Sequence, residues 1–500
     1  MAFKTEKTSI KKANKTITDQ WGKASNDPYR PVYHPIAPHG WMNDPNGLIY
    51  DKGWYHLFYQ WNPYGASWGN IHWGHMRTKD FATWEHLSTA LAPEEDYEKD
   101  GCFSGSAVMQ GDTMVLAYTA NVFKSGNHPH NEGPMAVQMQ ATASSADGIQ
   151  FEKSLNNPVI DEVPANGTLV DFRDPKVWLD DDQWYMVLGI RKDDKGEIVQ
   201  YKSKDLMDWH VDSTLFSPKD LGYMLECPDY FKINEKEVLL FSPMGVEGYY
   251  GPHVSGYLIR NTEFDEKQFK LADYGPHFYA PQTFEGSGHD RVMIGWIQMP
   301  ELDSNQHAWC GCLSLPRKLD VSPSNHLLSL PYKGMHLKMN PVKEMKKSVL
   351  NPREIIRFEG DHHRISLKIS SLAEQEIIIR IKGDGKGLNY TDLLIDSYNK
   401  LVLLDWSMSG VSQTHSHDQQ QSVYDYNHIS ALDEMSFDIY IDKSVVEVYG
   451  LEGHLAMTAS ILSDPLNKNG QIFCRNQSVF IEELVIYEIE ASEHLLCLEE

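Results

Sequence analysis

From about residue 33 to residue 319 the chain runs in short apolar stretches broken by Gly, Pro, Asn and Asp. That texture belongs to β-strands joined by tight turns. One kind of stretch recurs five times, at 54–60, 114–119, 184–189, 238–242 and 292–297, with starts 54 to 70 residues apart. A second marker, Asp-(Phe/Leu)-x-x-Trp, stands at Asp80-Phe81-Ala82-Thr83-Trp84 and Asp205-Leu206-Met207-Asp208-Trp209, with a looser copy at Asp147-Gly148-Ile149-Gln150-Phe151. Five units of this length, each holding several short strands, predict an all-β chain whose residues 31–325 form a five-bladed β-propeller. A large sandwich or barrel would not be expected to show so long a period.

Beyond residue 319 the texture changes. Residues 326–350 are punctuated by Pro and Lys without a strong period and predict a linker. From 351 to 500 polar–apolar alternation returns, as in Ile365-Ser366-Leu367-Lys368-Ile369 and Phe437-Asp438-Ile439-Tyr440-Ile441, and predicts a C-terminal β-sandwich. Gly383-Asp384-Gly385-Lys386-Gly387 is glycine-rich but lacks a following Gly-Lys-Ser/Thr, so a hairpin turn is expected. Residues 412–422 predict a solvated loop. Residues 1–30 predict an N-terminal arm, helical or frayed. Five lysines without an apolar core do not make a secretory signal.

Five hundred residues exceed one ordinary core, which supports two domains. A net charge of −25 argues against a nucleic-acid or anionic-membrane partner, and no stretch reaches the eighteen or so apolar residues of a membrane helix. Six cysteines without metal-site spacing predict reduced thiols in a cytoplasmic protein. His128-Pro129-His130 and His415-Ser416-His417 are expected in solvated loops, and no metal or organic cofactor is implied.

The repeat gives the chemistry its first foothold. Asp44 lies ten residues before the run at 54, Asp174 ten before the run at 184, and Glu226 twelve before the run at 238. The second unit offers Phe103-Ser104 at this phase, the fifth Tyr279-Ala280-Pro281-Gln282. Units around an axis bring one phase to one place. Taken singly, each acid fits a duller role: a turn at Asn43-Asp44-Pro45-Asn46-Gly47, an ion pair at Arg173-Asp174, a surface acid at Glu226. Together, acids, hydroxyl, amide and rings suit a polyhydroxylated ligand. Glycoside hydrolysis needs one protonated and one ionised carboxyl. Glu226, beside Met224, Leu225 and Cys227, is expected to hold the proton. Asp44, among turn amides, is expected to stay ionised, and Asp174 to stay charged beside Arg173.

Trp41-Met42-Asn43-Asp44-Pro45-Asn46-Gly47, Phe103-Ser104-Gly105-Ser106, Arg173-Asp174-Pro175 and Glu226-Cys227-Pro228 resemble the signature set of glycoside hydrolase family 32, the β-fructofuranosidases. The likeness extends to Trp73-Gly74-His75, Leu313-Ser314-Leu315-Pro316-Arg317 and Asp442-Lys443-Ser444-Val445-Val446-Glu447-Val448-Tyr449. It implies retaining hydrolysis of the terminal β-D-fructofuranosyl unit of sucrose or sucrose 6-phosphate through a covalent fructosyl-enzyme. Asp44 would be the nucleophile, Glu226 the general acid/base and Asp174 the transition-state stabiliser. Asn43, Gln60, Trp68, Phe103, Ser104, Arg173 and Trp296 match positions lining the fructose subsite. The context of Phe103 and of Tyr279-Ala280-Pro281-Gln282-Thr283-Phe284 looks closest to bacterial sucrose-6-phosphate hydrolases, although no compact Arg/Lys phosphate pocket is visible. A fructosyltransferase or fructan exo-hydrolase on the same scaffold, an inverting hydrolase, and a non-catalytic sugar-binding propeller stay open. For the sandwich two roles stay open, bracing the propeller or forming a homodimer.

Overall fold

The computed structural model describes residues 8–498 apart from 131–132, 165, 247–253, 287, 289, 301, 371–374, 411–419 and 430–433. One helix, Thr8–Ser25, precedes a long succession of strands. Ala13, Ile17 and Ala24, at spacings that share one helix face, are buried against the first sheet and around Trp309. The N-terminal arm is therefore a packed amphipathic helix.

Between residues 40 and 331 the strands form five sheets. Their first strands are Gly40–Asp51, Cys102–Gln110, Gly167–Asp180, Met224–Ile233 and Phe278–Thr283. Each of these packs against the next, and the fifth packs against the first. Trp309–Cys310, arriving from the fifth unit, pairs in parallel with Gly40 and Trp41 and so closes the circuit. The recurrent apolar runs seen in the sequence are the second strands, buried on both sides between neighbouring sheets.

Two six-stranded sheets follow, with one apolar core between them that includes Ile365, Leu367, Ile377, Ile379, Ile439 and Val448. At about 1.5–3 kcal/mol per fully buried aliphatic side chain, this core is a major source of the second half's stability. Asp384 caps the expected hairpin by accepting from the amides of Lys386 and Gly387. Of the predicted loop at 412–422, residues 412–419 and with them His415-Ser416-His417 lie outside the described residues, while Gln421 and Ser422 open the strand Gln421–Asp425.

Two expected boundaries move. The predicted linker 326–350 holds the strand Leu327–Pro331 of the fifth sheet and Met339–Leu350 of the sandwich. The second of these escaped notice because it is largely exposed and lysine-rich, so its alternation is blurred. The predicted sandwich to residue 500 ends sooner: Glu493–Leu496 leaves it and pairs in parallel with Thr83–His86 on the first sheet.

A fully buried ionic seam joins the halves. Arg317 donates to Asp273 at 2.8 Å and to Glu447 at 2.6 Å. His34 bridges Asp442 at 2.8 Å and Glu447 at 3.0 Å. Asp442 also accepts the amides of Val32, Tyr33 and His34. Burial alone would lower the His34 imidazole, but its bonds to Asp442 and Glu447 carry it up to about 9. Burial alone would raise Glu447, but the Arg317 guanidinium and His34 hold it down at about 2.

Candidate active site

Each of the five first strands slips register with its second strand at an equivalent place: between Met42 and Pro45, Phe103 and Gly105, Arg173 and Lys176, Glu226 and Asp229, and Tyr279 and Gln282. These are β-bulges, which leave residues unpaired and re-aim side chains. In four of the five a proline follows: Pro45, Pro175, Pro228 and Pro281. A proline can sit inside a strand where the ladder does not need its missing donor. Asp174, Cys227 and Ala280 adopt positive φ, at 67°, 48° and 49°. The bulge lets residues adjacent in sequence, such as Arg173 and Asp174 or Glu226 and Cys227, address one concavity, whereas a regular strand would send them to opposite faces.

The three acids meet there. Ser104 Oγ donates to Asp44 Oδ2 at 2.6 Å. Cys227 Sγ lies 3.6 Å from the same oxygen and 3.7 Å from Asp174 Oδ2, which also accepts the Cys227 amide at 2.9 Å. Arg173 Nε and Nη2 both reach Glu226 Oε1, at 3.1 and 2.9 Å, while the Tyr279 hydroxyl donates to Glu226 Oε2 at 2.5 Å. Pro45, Asn46, Gly105, Pro175 and Gln282 line the floor. Among the described residues no group of three His, Cys, Asp or Glu is arranged to hold a metal.

The electrostatics differ from the sequence expectation. Asp44 does not keep an ordinary carboxyl: burial pushes it up to about 6, against hydrogen bonds from Ser104 and Asn43 that lower it, with the nearby Glu226 charge adding to the rise. Asp174 rises to about 7, again through burial first. Arg173, with Nε 4.0 Å from Asp174 Oδ2, only partly offsets the burial and the charges of Glu226 and Asp44. Of the apolar neighbours expected to shelter Glu226, Leu225 turns elsewhere and Cys227 faces Asp44 and Asp174. Leu225 joins the core between the third and fourth sheets, and the Glu226 carboxyl faces a guanidinium and a phenol.

The subsite candidates divide. Ser104 and Arg173 touch the acids directly. Asn43 accepts from Trp41 Nε1 at 2.8 Å and so is oriented beside Asp44. Phe103 is half-buried, and Trp68, 48% exposed, meets its ring edge-on at 6.0 Å as a rim residue. Trp296 packs edge-on against Trp41 and Tyr279, behind the phenol that holds Glu226. Gln60 is 3% exposed and its amide donates to the Cys102 carbonyl at 3.1 Å.

Other contributors were missed as functional residues. Tyr279 and Gln282 carried the repeat phase, and Cys227 the motif, yet none was given a role. Thr119 accepts the Asp174 amide at 2.9 Å. The turn His128-Pro129-His130, expected in solvent, is built into the wall. His128 is buried against Asp171 at 2.9 Å, and His130 stacks on Tyr223 at 3.7 Å. Contacts this distant in sequence leave no local signal.

Known families match both halves of the chain. Residues 34–331 match the glycosyl hydrolases family 32 N-terminal domain and residues 334–488 the family 32 C-terminal domain. A sucrose-6-phosphate hydrolase of Zymomonas mobilis is 32% identical over 94% of this chain and 93% of its own length. A raffinose invertase of Escherichia coli is 40% identical over 58% of this chain and 62% of its own. A GH32 β-fructofuranosidase of Bombyx mori has the same architecture, with TM-score 0.83, 32% identity and coverage of 99% of this chain and 100% of its own.

Proposed function

The chain belongs to glycoside hydrolase family 32, and on that premise we propose that it is a retaining β-fructofuranosidase acting on sucrose and sucrose 6-phosphate. The observation that carries this reading is the convergence of Asp44, Asp174 and Glu226 through bulges in the first strands of three of the five sheets. The closed circuit of those strands supports a five-bladed propeller followed by a sandwich.

In this reading Asp44 attacks the anomeric carbon of the fructosyl unit while Glu226 protonates the glycosidic oxygen. The bond between that carbon and that oxygen breaks, its electron pair stays on the oxygen, which leaves as a hydroxyl of the departing sugar, and an ester to Asp44 remains. Water then gives its proton to Glu226, its oxygen attacks the same carbon, and Asp44 leaves as a carboxylate. Asp174 and Arg173 hold the sugar hydroxyls as positive charge grows on the ring. Ser104 and Asn43 prepare Asp44 by hydrogen bonding its charged form, opposing the burial that disfavours it.

Relatives named for sucrose 6-phosphate support the phosphorylated substrate, and the activity would then lie in the cytoplasm on imported sugar. Proton NMR of the first product settles the stereochemistry: β-fructofuranose before mutarotation is expected, and the α anomer would overturn retention. Comparing kcat/KM for sucrose and sucrose 6-phosphate tests the donor. Oligofructans in place of free fructose at high sucrose would replace hydrolysis with transfer.

A further inference from the structure

Arg173 hydrogen-bonds two carboxylates and lies 4.0 Å from a third, Asp174. Its Nε and Nη2 address Glu226, while its Nη1 turns away to Asp171 Oδ1 at 2.6 Å and Gln138 Oε1 at 3.2 Å. Asp171 sits two residues before Arg173 on the strand Gly167–Asp180 and is only 2% exposed. Its second oxygen is held independently, by Arg191 Nε at 2.6 Å and His128 Nε2 at 2.9 Å. His128 Nδ1 accepts the His130 amide at 3.2 Å, which leaves the imidazole proton on Nε2 to point at Asp171. Two guanidinium groups thus hold Asp171 in its charged form, well below the usual carboxylate range although burial opposes this. Among the described residues, the hydrogen-bonded link from Asp171 to the acids of the concavity runs through the guanidinium.

We infer that Asp171, anchored by Arg191 and His128, is a positioning residue for the acid/base: it fixes how Arg173 meets Glu226. A guanidinium freed at Nη1 would pair fork-to-fork with a carboxylate, the geometry in which it binds most tightly. Such a pair on Glu226 would compete with Tyr279 for Oε2 and withdraw the carboxyl from the glycosidic oxygen. Asp171 prevents this by holding Nη1, which fixes the guanidinium plane and keeps its Nε–Nη2 edge on Oε1 alone. The inference rests on the reading of Glu226 as the group that protonates the leaving oxygen.

The test compares two substrates by kcat/KM, which reports the step that breaks the glycosidic bond. Sucrose needs a proton on its departing oxygen. A nitrophenyl β-D-fructofuranoside, whose phenolate leaves unaided, needs none. General acid assistance is worth about 10²–10⁴-fold. Asp171→Asn is therefore expected to lower kcat/KM for sucrose by roughly 30-fold or more and that for the nitrophenyl fructoside by less than about threefold. Arg191→Met, which loosens Asp171 without removing it, should show the same bias at smaller size and decides the matter if Asp171→Asn does not fold. Equal losses on both substrates in the folded variants, or none on either, would overturn the inference. Glu226→Gln is run alongside. If it spares the nitrophenyl substrate, the acid assignment stands and the Asp171 result is judged on its own. If it destroys both activities equally, the assignment itself falls.

Discussion

Arg317 Nη2 lies 2.6 Å from Glu447 Oε2, and both side chains are completely withdrawn from solvent. Arg317 belongs to the fifth sheet of the first half and Glu447 to the sandwich. Removing one partner of a buried pair typically costs about 3–5 kcal/mol, because the other is left charged and unpaired. Glu447→Gln should therefore lower the thermal midpoint sharply, with Arg317 left only Asp273 as an ionic partner. A midpoint within a degree of wild type would show that the seam contributes nothing.

His34 adds a pH dependence to the same seam. Its folded value, about 9, exceeds the ordinary 6.5, so the native state binds the proton more tightly than the unfolded chain. The stabilisation is complete below pH 6.5 and is lost as pH rises through about 9. Two to three pH units correspond to roughly 3 kcal/mol. Denaturation midpoints from pH 6 to 10 should fall in wild type, and His34→Gln should begin lower and stay flat across that window.

Asp44 carries the opposite kind of consequence. Burial carries its carboxyl up to about 6, so the carboxylate that the proposed mechanism needs for attack is lost as pH drops below that value. On the proposed mechanism kcat/KM should fall about tenfold per pH unit below pH 6. The raised value also means that the ionised group destabilises the fold. The contribution of Asp44 is most favourable below the unfolded value of 3.8 and is lost as pH rises through about 6. Asp44→Asn should abolish turnover yet raise the thermal midpoint at pH 8 and leave it nearly unchanged at pH 4. The stabilisation should approach about 3 kcal/mol. A variant no more stable than wild type at pH 8 would show that the carboxyl is not held under this strain.

Ser104 offers a finer probe of the same group. Its hydroxyl stabilises the charged form of Asp44 from 2.6 Å. A hydrogen bond to a charged group is worth about 1.5–3 kcal/mol. Ser104→Ala should move the acidic limb of the kcat/KM profile upward by roughly one pH unit, with a smaller loss at pH 8. An unmoved limb would assign that limb to a group other than Asp44.

How much of this was legible in the chain follows from what each signal depends on. The second strands were found because burial between two sheets makes them continuously apolar, as at 238–242. The acids were found because one phase of a repeat marks one place. Proline in a strand interior sits at the bulges at Pro45, Pro175, Pro228 and Pro281, but at Pro45 the flanking Asp-Pro and Asn-Gly pairs read equally well as a turn. The raised carboxyl of Asp44 was not legible, because Asp44 is surrounded by groups from the second and fourth units. Nor was the relay His128–Asp171–Arg173–Glu226, because no pattern within any one segment encodes a partner on another sheet.

Closure by Trp309–Cys310 has a temporal side. The strand that carries Asp44 is made early, but its outer neighbour comes from the end of the first half, and His34 waits for Asp442 and Glu447 still later. Pairings so distant in sequence form slowly and late. The pocket is thus a late product of folding, and regain of turnover on dilution from denaturant should lag behind the recovery of β-structure. Regained turnover would then report that the last strands of the first half have closed on the strand that carries Asp44.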